Sequence, residues 1–121
     1  MTETEDWWVL AEAHVRSLAF LQGLAHRPVT ASVDAADLVE RLPRRLPDTG
    51  VDASWVIDEL VRVLDDGLVA SAGGRFFGWA TGGTHPAGIA ADWLTSSRDQ
   101  LAGPGPASPA ADAATRSSVG G

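Results

Sequence analysis

Apolar positions recur along this chain with a helical period, and three stretches carry the pattern. Between residues 5 and 25, Trp7, Leu10, Ala11, His14, Leu18, Leu21 and Ala25 share one face at about 100° per residue. Glu12 and Arg16 lie opposite, one turn apart, in the favourable order for an i,i+4 pair. Val9, Ala13, Phe20 and Leu24 widen the apolar surface beyond one stripe, so this helix is expected to meet more than one neighbour. Arg27-Pro28 ends it. A shorter helix is predicted over 34 to 42, with Asp34 as N-cap of AADLVERL, and Pro43 and Pro47 enforce a turning path after it.

The clearest helix is predicted over 52 to 66. Ile57, Leu60, Val61, Leu64 and Leu68 follow the i, i+3, i+4, i+7, i+11 spacing. Asp52 can cap its start, Asp58 and Arg62 can pair, and Gly67 suits a left-handed C′ position. Asp65 and Asp66 stand at the negative end of the helix dipole, which disfavours carboxylates. A short strand or extended segment is expected at 75 to 80, then a TGGT turn, then a helix over about 86 to 100. Thr84 or His85 can cap that helix, with Pro86 in its first turn and Ile89, Ala90, Trp93 and Leu94 sharing a side with Pro86. Beyond Leu101, AGPGPASPAADAATRSSVGG has no large apolar residue except Val119, and disorder is expected there. The reading is thus mainly α, with three to four helices and one short extended Phe-Phe-Gly-Trp segment. Residues 1–101 form the helical segment and residues 102–121 a disordered tail.

Composition narrows the function. The net charge of −7 argues against nucleic acid and anionic membranes, because phosphate-rich partners need a basic surface. There is no cysteine, which removes disulfides and thiolate chemistry and fits a cytoplasmic chain. The acidic MTETEDWW start is unlike a signal or transit peptide. All 9 basic residues are arginine, so no side-chain amine can form a Schiff base within these residues.

Candidate chemistry is sparse. His14, His26 and His85 are too scattered for a metal site, and His14 is expected to be buried within the apolar stripe. Gly82-Gly83-Thr84 opens a helix whose free N–H groups could hold an anion, although two glycines before a helix more often make a plain turn. Arg44-Arg45 and Asp65-Asp66 read as solvated charges, and there is no serine-nucleophile elbow.

One long stretch carries a likeness. GGRFFGWATGGTHPAGIAADWLTSSRDQLAGPGPASPAA resembles the N-terminal region of the group II pyridoxal-phosphate-dependent amino acid decarboxylases, the family of the aromatic-L-amino-acid and glutamate decarboxylases. Phe76, Phe77, Gly78, Trp79, Gly82, Gly83, Pro86, Ala91, Asp92, Trp93, Leu94, Asp99, Gln100, Ser108, Pro109 and Ala110 fit the family pattern. DASWVIDELVRVL is similar to one of the helices that precede it there. The likeness covers residues 7 to about 111, the opening stretch of a much longer family protein.

The resemblance implies the N-terminal region of a fold-type I enzyme without its large α/β domain. It implies an active-site edge at a dimer interface, with Trp79 and Thr81 as substrate-contacting residues for an amino acid and no catalytic, cofactor or metal residue in this stretch. The family's phosphate loop, ring-stacking histidine, pyridine-bound aspartate and lysine would all fall beyond residue 121. Arg98 replaces a tryptophan that many bacterial members carry, GPGPASP replaces bulky apolar residues, and TRSSVGG does not continue the family's helix. The expectation is therefore a truncated decarboxylase, inactive alone and holding no pyridoxal phosphate. The alternative is a non-catalytic helical module that forms a homo-oligomer or pairs with a full-length paralogue.

Overall fold

The computed structural model describes residues 6–101, 103 and 105–119, and all structural statements concern these. They are mainly α: five α-helices, two short 3-10 turns and no strand. The chain groups into two compact units, Met1–Gly83 and Thr84–Gly121.

In the first unit, α1 spans Val9–Gly23, α2 Ala35–Arg41 and α3 Ala53–Leu64, and a 3-10 turn, Asp65–Gly67, continues α3. Two aspartate caps set the helix starts. Asp34 accepts the Asp37 N–H at 2.9 Å, and Asp52 accepts the Ser54 and Trp55 N–H groups at 2.9 and 3.3 Å. Pro43 stops α2 one residue early, since it drives Leu42 to ψ 144.

Helices α1 and α3 run parallel and in register. Glu12 meets Ser54 and, one turn on, Arg16 meets Asp58. Glu12 and Arg16 face α3, and Val9, Ala13, Ser17, Phe20 and, just past the helix, Leu24 are partly buried. This corrects the expected orientation of the helix. Of the expected shared face, Trp7, Leu10, Ala11, His14, Leu18 and Ala25 are exposed and Leu21 is partly buried, while the widening residues Val9, Ala13, Phe20 and Leu24 are all partly buried. His14 is exposed rather than buried. Both expected ion pairs within helices are also replaced. Arg16 reaches across to Asp58, which leaves Arg62 to bind Glu59 at 2.6 Å.

The end of α3 is held by arginines from two other segments. Arg27 lies over the Phe20 ring at 4.6 Å and donates to the Asp65 carbonyl at 2.9 Å and its carboxylate at 3.4 Å. Arg41 grips both Asp66 oxygens at 2.8 and 2.9 Å. The two carboxylates at the unfavourable helix end are thus neutralised by tertiary partners. The Asp66 carbonyl accepts the Ser32 N–H at 2.9 Å and Val29 accepts the Ala70 N–H at 2.9 Å, which closes the loop after α1 onto the chain after α3. Arg75 ties the next segment to the same loop through the Leu24 and Arg27 carbonyls. Gly67 does not take the expected left-handed conformation, for no described glycine has positive φ. A side chain there would run into the Leu38 methyl groups, so close approach of α2 explains the residue.

Little is fully enclosed. Val63 and Ala70, at 0% and 2% exposure, are the only buried apolar residues described.

In the second unit, α4 is Pro86–Arg98, capped by His85, whose Nδ1 accepts the Ala87 N–H at 3.1 Å. Asp99 ends it in the left-handed conformation, φ 45. A 3-10 turn, Gly105–Ala107, leads to α5, Pro109–Val119. This helix occupies much of the expected disordered tail. Ser108 is the local reason: it is buried, donates to Gln100 at 3.0 Å and accepts the Ala111 N–H at 3.2 Å, capping α5 with Pro109 in its first turn. Four alanines and the Asp112–Arg116 pair at 2.9 Å supply helix propensity in place of core packing. The expected tail residues 102, 104, 120 and 121 and the N-terminal residues 1–5 lie outside the described residues.

Candidate functional site

The aromatic segment that the resemblance marks lies at the end of the first unit. Arg75 anchors its start, and Phe76 donates its N–H to Gly73 at 3.3 Å. Phe76 is half-buried, while Phe77 and Trp79 stand 92% and 87% exposed. Trp79 adopts φ 50, a left-handed conformation that costs a bulky residue about 1–2 kcal/mol. Its ring meets Phe76 at 6.2 Å between centroids, tilted by 31°. A Cβ at Gly78 would lie 3.1 Å from the Phe76 ring. Thr81 is exposed, and its hydroxyl donates to the Gly78 carbonyl at 3.4 Å. The two expected substrate residues are therefore near in sequence, and both side chains are exposed. Gly82 and Gly83 have open space around them and ordinary backbone, so the close approach that would demand glycine is not made here.

No cluster of three or more His, Asp or Glu side chains among the described residues could hold a metal ion. Asp65 and Asp66 are occupied by arginines, and Arg44 pairs with Glu40 at 3.1 Å. Glu59 has its carboxyl held below its ordinary value by the hydrogen bond and charge of Arg62.

The most distinctive surface is the uncovered side of α1. On α1 and the residues just before it, Trp7, Trp8, Leu10, Val15 and Leu18 are 67%, 72%, 55%, 64% and 40% exposed. The only charged residues of α1, Glu12 and Arg16, are engaged by α3. The exposed side of α1 therefore carries only His14 and Gln22 as polar side chains, with Asp6 just before the helix. At its N-terminal end it opens into a groove lined by Asp6, Trp7, Val9, Leu10 and Ala53. On α3, Trp55, Val56 and Leu60 are also about half exposed. A surface helix normally has the reverse arrangement.

Comparison with models of known families, with curated proteins and with solved structures finds no match. No helix among the described residues is long and apolar enough to cross a membrane. The chain has no lysine to form a Schiff base with pyridoxal phosphate, and Trp79 and Thr81 stand exposed.

Proposed function

We propose that these residues form a non-catalytic helical docking module, corresponding to the N-terminal region of a group II decarboxylase-like protein. The observation that carries the reading is the exposed apolar face of α1, with the two acidic and basic residues of that helix turned inward. Large uncovered apolar patches mark interaction surfaces. A second copy or a longer paralogue covers this face in a cytoplasmic setting. The lysine that decarboxylation of amino acids requires must then come from other residues than these, and this chain alone performs no decarboxylation. Trp79 and Thr81 contribute to a substrate edge only in an assembly that builds the rest of the pocket.

Sedimentation velocity across the micromolar range tests docking. The parent chain is expected to associate, and Trp8→Glu with Leu18→Lys is expected to return it to monomer. A parent that stays monomeric throughout and captures no longer paralogue would refute the module. Incubation with pyridoxal phosphate, with the N-terminus blocked, tests the catalytic statement. An aldimine absorbance band or release of CO₂ from amino acids above a denatured control would overturn it.

A further inference from the structure

We propose that Glu12–Ser54 and Arg16–Asp58 form a two-rung ladder that locks the rotation of α1 and keeps its apolar stripe facing outward. This rests on the reading of that stripe as a docking face. The hydrophobic effect alone does not choose which side of α1 meets α3, because it is non-directional and scales with area. The inner side offers Val9, Ala13, Phe20 and Leu24. The outer side offers Trp7, Leu10, Ala11 and Leu18, a comparable apolar surface about a third of a turn away. Rolling α1 through that angle would exchange one apolar face for the other.

Directional contacts break the tie. The Ser54 hydroxyl donates to Glu12 Oε1 at 2.9 Å, and Arg16 binds the Asp58 carboxylate. The partners are four residues apart on both helices, so one alignment satisfies both rungs. A roll pulls Glu12 and Arg16 off α3 together. A slip of one turn brings Glu12 against Asp58, two like charges. At the other end of α1, Arg27 over the Phe20 ring fixes the same orientation. Half-exposed contacts of this kind add little stability, and they act here through the one alignment that satisfies both. They suit a helix that must hold its hydrophobic side in water until a partner arrives.

The absence of cysteine makes the rotation measurable. Ala11→Cys reports the outer side and Ala13→Cys the inner side. Thiol labelling is followed at a dilution where the chain is monomeric, so the ratio of the two rates reads orientation and not docking. In the parent background the outer thiol is expected to react about 5- to 10-fold faster, the ratio of an open to a protected site. With Ser54→Ala and Asp58→Ala together, which leave α1 untouched, the ratio is expected to fall to within about twofold of one. Exchanging the charges, Arg16→Asp with Asp58→Arg, should restore it. Far-UV circular dichroism establishes that each variant keeps its helices, and the milder Asp58→Asn serves if the double variant unfolds. A ratio that persists without the ladder, or that is already near one in the parent, overturns the lock. A chain that never associates yet keeps its ratio in the parent and loses it without the ladder sinks the docking reading and leaves the lock standing.

Discussion

Arg27→Ala should cost the first unit about 2 kcal/mol, and the figure can be built contact by contact. The Arg27 side chain is 19% exposed. Its guanidinium lies 4.6 Å from the Phe20 ring centroid, a cation–π contact of about 1 kcal/mol at a partly desolvated site. It donates to the Asp65 carbonyl at 2.9 Å, a charge-assisted bond of about 1.5 kcal/mol that satisfies a helix-end acceptor. The pairing with the half-exposed Asp65 carboxylate at 3.4 Å adds about 0.5 kcal/mol after solvent screening. Against these stands the Arg27 Nε, which is buried with no partner and offsets about 1 kcal/mol. Urea denaturation followed by far-UV circular dichroism measures the change, and Arg27→Lys separates charge from shape. Lysine keeps the charge but lacks the planar fork, so it should recover less than half of the loss. A change within about 0.5 kcal/mol for Arg27→Ala would show that the keystone role is wrong, since that is the ordinary range of an indifferent surface substitution.

Other substitutions probe the remaining supports. Val63→Ala removes two methyl groups from the one fully buried large apolar side chain described, and should cost about 2 kcal/mol by the same urea assay. Gly67→Ala should cost about 1 kcal/mol, because its methyl displaces Leu38 while its backbone already suits alanine; stabilisation would refute the close approach of α2. The Glu59 carboxyl titrates below its ordinary value of 4.5 in the folded chain, first through the hydrogen bond from Arg62 and then through its charge. Its contribution is therefore complete above that value and lost as pH falls through the lowered one. Stability curves of the parent and Glu59→Gln should differ above about pH 4.5 and converge below it, and curves that diverge on acidification would reverse the sign.

Much of this architecture is written locally. Asp34 and Asp52 announce α2 and α3 because a cap needs only a short polar side chain and the next three residues. His85-Pro86 does the same for α4. The expected pairs Glu12–Arg16 and Asp58–Arg62 mislead for one reason. Spacing shows which charges can meet along a helix, but a parallel neighbour in register offers each a competitor, and Arg16 takes Asp58. Helix α5 is hidden because its stability comes from a serine cap and alanine propensity, and neither leaves an apolar period to read. At Trp79 and Thr81 the family likeness identifies residues, while the shape of any pocket depends on atoms that these residues do not supply.

The orientation of α1 is the instructive case. Its apolar residues cover almost the whole circumference, so periodicity defines a helix without defining an inside. The widest stripe, centred on His14, is the natural choice for a core when each chain is assumed to bury its own best face. The structure commits its second-best face to α3 and aligns Glu12 and Arg16 with Ser54 and Asp58. That choice leaves Trp7, Trp8, Leu10 and Leu18 in solvent, and the proposed ladder would specify it through directional contacts. A chain optimised for solitary folding would gain by rolling the helix and putting charge outward. A chain whose best apolar face belongs to another polypeptide gains by forbidding that roll. On the proposed docking reading, the small enclosed core and the polar ladder follow from one division of surface, with enough burial to order the helices and the larger hydrophobic area kept for a partner.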